Sequence, residues 1–382
     1  NFKSFGEEQT ILLQPVTVLV GPNNSGKSNL VSLARFIRNA ATAGAESAFE
    51  QEGGVEFVLR RPPAGDALTR IGWKVDVETD SEAAYGVELA RSGLRPGIFQ
   101  QNEFMEGPKL GKAWDRFNEN VNESAFRNPA GAGWIGAPWR HREPMAGIQN
   151  LVQLNLTELD QFRPLWVPIV LSREIKLSVP ILRQDAGVVP APQLGSDGSG
   201  MAAVLGLWRG ANLDRAEELD EFIRSCLPEI SRVLVKPGRI PGEQRIWVQQ
   251  TDGEQFDAAH ISDGVLSFIA LAMHAIDAAP GSLIFVEEPE QSIHPRLIHG
   301  LVELFRKIVY DRKCQIVIVT HSPVLLHEFR DDPEAILLFR RDEKKGTQVS
   351  PLSAYPDLME ALNNKKADPG DMLVNGFFNA PS

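Results

Sequence analysis

Gly21-Pro22-Asn23-Asn24-Ser25-Gly26-Lys27-Ser28 matches the loop G-x-x-x-x-G-K-[ST] at every fixed position. Glycines at 21 and 26 let the backbone turn its N–H groups onto phosphates, Lys27 can reach β and γ oxygens, and the Ser28 hydroxyl suits magnesium. Such a loop needs a strand before it and a helix behind it. Thr10 to Leu13 and Val16 to Val20 read as apolar strand segments, and Leu30, Leu33, Ala34, Ile37 and Ala41 recur at helical spacing. The helix adds its positive end to the anion site. Strand, loop and helix in this order predict an α/β nucleotide-binding fold.

A second group of motifs lies far downstream. Leu283-Ile284-Phe285-Val286 ends in Glu287-Glu288-Pro289-Glu290, and Ile316-Val317-Ile318-Val319 ends in Thr320-His321-Ser322-Pro323. Four consecutive apolar residues describe a buried parallel strand, and its C-terminal edge is where open α/β sheets bind ligands. Glu287 is placed to hold magnesium and Glu288 to orient an attacking water as general base. His321, at the end of a second such strand, is placed to sense a γ-phosphate. Ser262-Asp263-Gly264 opens an apolar helix with the face Leu266, Ile269, Ala270, Met273 and Ile276, and offers a hydroxyl and backbone N–H groups to an anion. The same three residues also make an ordinary helix cap.

Composition bounds the rest. A chain of 382 residues holds a large core and two lobes or one elaborated domain. Hydrophobic content of 43% and charged content of 23% are ordinary for a globular protein, and no apolar run is long enough for a membrane span. Two cysteines without metal-ligand spacing, Cys226 and Cys314, fit a reducing compartment, so the cytoplasm is the expected location. The net charge of −11 argues against gripping nucleic acid with the whole surface, although local basic strips remain open. Asn1 is not an initiator methionine and reads as part of a strand, so the chain is expected to be trimmed at its start.

Between the two groups, Gly54 to Leu89 alternates as an antiparallel meander, with Val55, Phe57 and Leu59 and then Ile71, Trp73, Val75 and Val77 on one side. Ser92 to Glu143 is rich in Gly and Pro and reads as irregular, its Arg140-His141-Arg142 cluster as a solvated loop. Leucines return at helical spacing from Gln149 to Val179, and Ser178 to Gln184 reads as a strand. Helices are expected from Met201 to Trp208 and Leu213 to Cys226, and strands at Val233, Val235, Ile246 and Val248. After Pro323 come strands at Ala335 to Phe339 and Thr347 to Ser350 and a helix at Tyr355 to Leu362.

The set Asn1-Phe2-Lys3-Ser4-Phe5, Gly21 to Ser28, Ser262-Asp263-Gly264, Val286 to Glu290 with Ile293-His294-Pro295, and Thr320 to Pro323 resembles the ABC-type ATPase heads of the RecF, SMC and OLD group. It is closest in character to the compact AAA family ATPases of bacterial defence operons. The resemblance implies one P-loop NTPase head with a mixed, mainly parallel core sheet, an antiparallel β subdomain and a helical lobe. Residues 1–92 would carry the P-loop lobe and antiparallel strands, 93–255 the helical and irregular lobe, and 256–382 the signature helix, the acidic strand and the histidine loop. It implies ATP and Mg2+ as cofactors and a homodimer, or a higher homo-oligomer, joined through ATP-bridged heads. Lys27, Ser28, Glu287 and Glu288 of one subunit would then share each nucleotide with Ser262, Asp263 and Gly264 of the other, while Gln291 to His294 line the contact. His321 would report loss of the γ-phosphate, and a loop near Arg183 and Gln184 would link magnesium to the helical lobe.

Three departures shape the expectation. Glu287 stands where an aspartate is usual and implies slow turnover; the signature is Ser-Asp-Gly; no coiled-coil arm divides the head. After Pro323 the chain is too short for a metal-dependent nuclease domain, so the effector, a nuclease or toxin, is expected to be a separate polypeptide. The function expected is an ATP-hydrolysing switch in antiphage defence or DNA repair. Its rivals are a nucleotide-gated scaffold with little hydrolysis and a RecF-type DNA sensor, for which DNA-stimulated turnover that falls steeply with salt would speak.

Overall fold

The computed structural model describes residues 2–6, 8–59, 70–77, 83–91, 99–107, 111–115, 123–127, 134–140, 163–364 and 367–379, with backbone alone for the strands between 70 and 140. Two compact units divide the chain. One comprises Asn1–Ile11, Asn23–Ser172 and Phe339–Val349, the other Leu12–Pro22, Arg173–Leu338 and Ser350–Ser382.

The second unit is built on parallel strands. β1 (Val16–Val20) pairs with β14 (Gln315–Val319) and with the start of β15 (Ile336–Asp342), β14 pairs with β13 (Leu283–Glu287), and β13 pairs with β8 (Arg173–Ile175). Every residue of β1 is buried, as are Ile284 to Val286 and Ile316 to Val319, which is what a sheet covered on both faces demands. The register sets Leu19 and Glu287 on either side of Val319, so the C-terminal ends of three strands finish level. Packed in the same core are α8 (Asp263–Ile276), buried along most of its length, and α9 (Ile298–Arg312). A smaller antiparallel sheet joins β10 (Ile230–Pro237), β11 (Glu243–Gln250) and β12 (Gln255–Asp257), with the two-residue β9 (Ala186–Gly187) also on β11. Helices α6 (Met201–Ala211) and α7 (Leu213–Cys226) pack on it, with Trp208, Leu219 and Ile223 in the core.

In the first unit α1 (Lys27–Ala43) and α2 (Ala45–Gln51) meet through Phe36 and Phe49, whose rings lie 4.9 Å apart edge to face, and the Phe2 ring lies 5.5 Å from that of Phe36 at a tilt of 58°. Strands β2 (Arg70–Val77), β3 (Ala83–Arg91), β4 (Phe99–Gly107) and β5 (Gly111–Asp115) form an antiparallel meander, and β6 (Glu123–Arg127) pairs with β7 (Trp134–Arg140). Helix α4 (Arg163–Val170) follows, and the end of β15 with the start of β16 (Gly346–Pro351) closes the unit.

Several expectations change. Val55–Val58 is one helical turn, α3, rather than a strand; Gly54 precedes it at φ 106° and Leu59 makes a single bridge to Phe2. Thr10 to Leu13 forms no strand, and Phe2 and Phe5 contribute isolated bridges only. Between Ser92 and Glu143, expected to be irregular, β4 to β7 are formed. The strand expected at Ser178 to Gln184 is the short helix α5 (Val179–Leu182), with Pro180 in its first turn, where a missing N–H does no harm. His141, Arg142 and the leucines of 149–162 lie outside the described residues. The downstream strands and helices occur as predicted, β15 and β16 being followed by α10 (Pro356–Asn363). Among the described residues no helix is long and apolar enough to cross a membrane.

Candidate nucleotide site

The loop predicted to cradle phosphates begins at Gly21, directly after β1, and runs into α1. Gly26 caps α1 at φ 108°, and a Cβ there would fall 2.2 Å from Thr347 Oγ1 and 2.7 Å from Ser4 Oγ, so the position admits glycine alone. Those two hydroxyls hold the loop. Thr347 Oγ1 donates to the Ser25 carbonyl at 2.8 Å, the Ser4 and Thr347 hydroxyls lie 2.6 Å apart, and Asn29 Nδ2 donates to Ser4 Oγ at 2.6 Å. Lys27 is buried at the helix start, whereas Asn23, Asn24 and Ser28 are exposed. Asn24 sits in the left-handed region at φ 65°, a conformation asparagine tolerates. The Ser25 hydroxyl is buried and has no partner among the described residues, as a donor kept for a ligand would be.

In the second unit the level strand ends gather the remaining chemistry. The Glu288 N–H donates to the Val319 carbonyl at 2.8 Å and the Thr320 N–H to Leu19 at 3.2 Å, so Gly21, Glu287, Glu288 and His321 follow neighbouring strands at one sheet edge. Glu288 stands in the left-handed region at φ 45° and accepts a hydrogen bond from Gln291 Nε2. Strain of this kind in a non-glycine residue persists where the surroundings enforce it and is frequent at functional sites. Glu290 fixes the histidine loop, its Oε1 accepting from Thr320 Oγ1 at 2.6 Å and from the His321 N–H at 2.9 Å. Its Oε2 is buried without a partner among the described residues. Glu287, 11% exposed, takes the Lys176 ammonium at 2.8 Å, and this hydrogen bond raises the lysine's pKa.

Ser262 caps α8, its Oγ accepting the Val265 N–H at 3.4 Å, which realises the capping reading of Ser262-Asp263-Gly264. A Cβ on Gly264 would lie 3.1 Å from the Ser292 carbonyl oxygen, so the helix start rests against the Ser292 to His294 backbone. Arg183 ties this start down by donating to the carbonyls of Ala258 and Ile261 and to Asp263 Oδ1, the last at 2.5 Å. Gln184, expected near magnesium, lines a cavity of about 210 Å³ together with Asp185, Gln193 and Ser199. None of Glu287, Glu288 and His321 borders that cavity.

The donor set fits the group expected. Ser28 in the first unit offers a hydroxyl and Glu287 in the second a carboxylate, each a hard oxygen of the kind magnesium takes. Lys176 and the holding roles of Glu290, Ser4, Asn29 and Thr347 were not predicted. Ser4 and Glu290 fall within quoted motifs, but only strand register and tertiary contact show what they touch.

A parallel sheet that ends in a glycine-rich loop, an acidic pair and a histidine defines a P-loop ATPase head of the ABC type. The chain belongs to the family described as "AAA domain, putative AbiEii toxin, Type IV TA system", whose model matches residues 16–130 and 161–327. A comparison with curated proteins gave no match. Among solved structures the fold is similar to an SMC head bound to the C-winged helix domain of ScpA, with a TM-score of 0.54 at 12% identity over 91% of this chain and 94% of that one. It is similar also to the Smc head with an extended coiled coil bound to the C-terminal domain of ScpA from Pyrococcus furiosus, with a TM-score of 0.51 at 11% identity over 96% and 97%.

Proposed function

We propose that the chain binds ATP with Mg2+, hydrolyses it slowly, and uses the bound triphosphate to join two copies head to tail so that a partner effector is held or released. The observation that carries this reading is the level ending of β1, β13 and β14, which sets Gly21, Glu287–Glu288 and His321 along one sheet edge. Lys27 and Ser28 follow Gly21 within two turns of chain and serve the same nucleotide, the lysine on the β and γ oxygens. Magnesium, held by Ser28 and Glu287, would neutralise phosphate charge. Glu288 orients water in line with the γ-phosphorus and accepts its proton. His321, its backbone N–H held by Glu290, is the residue we assign to reporting the γ-phosphate.

Ser262 and Gly264 of a second copy complete the site, since a capped helix start offers N–H groups to the phosphate. Only ATP carries that phosphate, so hydrolysis removes the contact that distinguishes the closed pair from the open one. A separate effector, a nuclease or toxin, in antiphage defence or DNA repair would read out the change; the SMC heads of similar fold were likewise solved with a protein partner bound. The net charge of −11 favours a protein effector over DNA as the main partner.

Binding of a fluorescent ATP analogue and single-turnover hydrolysis by Lys27→Ala and Glu288→Gln test the reading. Lys27→Ala should weaken ATP at least tenfold. Glu288→Gln should bind ATP as the parent does and hydrolyse it at least a hundredfold more slowly. Unchanged hydrolysis in Glu288→Gln would remove the assigned base, and unchanged affinity in Lys27→Ala would remove the site itself.

A further inference from the structure

The parallel ladder between β8 and β13 pairs Arg173 with Ile284, Glu174 with Phe285 and Ile175 with Val286. One step further, Lys176 stands opposite Glu287, and its Nζ lies 2.8 Å from Glu287 Oε2. The backbone around it is fixed, the Lys176 N–H donating to the Ser196 carbonyl at 2.8 Å and the Ser178 N–H to Asp197 at 3.0 Å. The side chains differ sharply in exposure, at 71% for Lys176 and 11% for Glu287. A nearly buried carboxylate at the end of a strand requires a positive neighbour. The lysine supplies it from a flexible, solvated stem that can swing away.

We propose that Lys176 is a resident counter-cation of Glu287, which magnesium displaces when the nucleotide enters. The inference rests on the nucleotide reading given above. An ammonium and a divalent ion on one carboxylate repel each other at a few ångströms, so both cannot keep their places. Lys176 therefore sets the magnesium concentration at which ATP is held: the charge that stabilises Glu287 before loading opposes the metal that replaces it. Lys176 is a positioning residue, acting chiefly through Glu287, its hydrogen-bond partner.

The test is the Mg2+ dependence of binding of a fluorescent ATP analogue to the full chain, without any measure of turnover. In Lys176→Gln and Lys176→Ala the half-saturating free Mg2+ should fall about tenfold, because the metal no longer displaces a charge. Lys176→Arg keeps the charge and should retain the parent requirement to within about threefold. At saturating Mg2+ all four proteins should bind the analogue with affinities within about threefold of one another. An unchanged Mg2+ requirement in both neutral variants, with normal binding by the parent, overturns this proposal and leaves the nucleotide site standing. Tight binding by the parent in chelator, lost on neutralising Lys176, overturns it too, for the lysine would then replace the metal. No binding by the parent at any Mg2+ concentration sinks both readings together.

Discussion

Glu52 shows how much single side chains do in the first unit. Its carboxylate is 2% exposed, with Lys3 Nζ at 2.6 Å and Arg35 Nε at 2.8 Å. Burial pushes the acid up, but hydrogen bonds from Arg35 and Lys3 outweigh it and leave the pKa below the ordinary value. Glu52→Ala removes the anion that holds the N-terminal segment to α1, and denaturant titration should show a loss of about 2 kcal/mol. A loss below about 0.5 kcal/mol would mean that the cations find water equally well. His274 carries the opposite kind of group. It is 1% exposed inside α8, and burial, reinforced by nearby Arg173, pushes its pKa down to about 3 in spite of Asp197. Because the folded pKa is lowered, stability is complete above about pH 6.5 and is lost as pH falls toward 3, where the unfolded chain alone takes the proton. Between pH 7 and pH 5 the parent should lose about 2 kcal/mol relative to His274→Leu in urea titrations. Parallel pH profiles would contradict this account of the imidazole.

At the scale of elements, the acidic turn after β13 and the histidine turn after β14 act as one piece through Glu290. Glu290→Ala frees Thr320 and the His321 N–H and should lower turnover about tenfold with ATP affinity within about twofold, whereas Glu290→Gln, still offering an acceptor oxygen, should retain most activity. Steady-state kinetics beside nucleotide binding separates the two; equal loss in both variants would point to charge rather than to holding. The same elements show what sequence can and cannot convey. β1, β13 and β14 were legible because strands buried on both faces are unbroken apolar runs, and their terminal acids and histidine stand out against them. The Val55-Phe57-Leu59 alternation misled, for a four-residue stretch after a glycine fits a helical turn equally well, and Phe57 is 68% exposed. Residues 178–184 misled because an apolar run that includes Pro180 reads as extended until its place at the start of a helix is known. Strands β4 to β7 were hidden by frequent Gly and Pro. Lys176 carries no local signal at all; it meets Glu287 only because β8 and β13, far apart in sequence, lie side by side.

For the whole molecule, the claim is that ATP is a joint between two copies. On that claim each copy would bring a phosphate loop and an acidic strand to one nucleotide, and its helix start Ser262 to Gly264, capped in the single chain, to the other. A head that hydrolyses its own joint is caught closed when Glu288 cannot activate water. Light scattering on Glu288→Gln, with and without ATP and Mg2+, tests this most directly. The account predicts that the mass doubles from the 42.1 kDa of one chain on adding ATP, stays single with ADP, and stays single with ATP when Ser262 is replaced by Arg. A single-chain mass at saturating ATP and Mg2+, in a variant shown to bind the nucleotide, would contradict it.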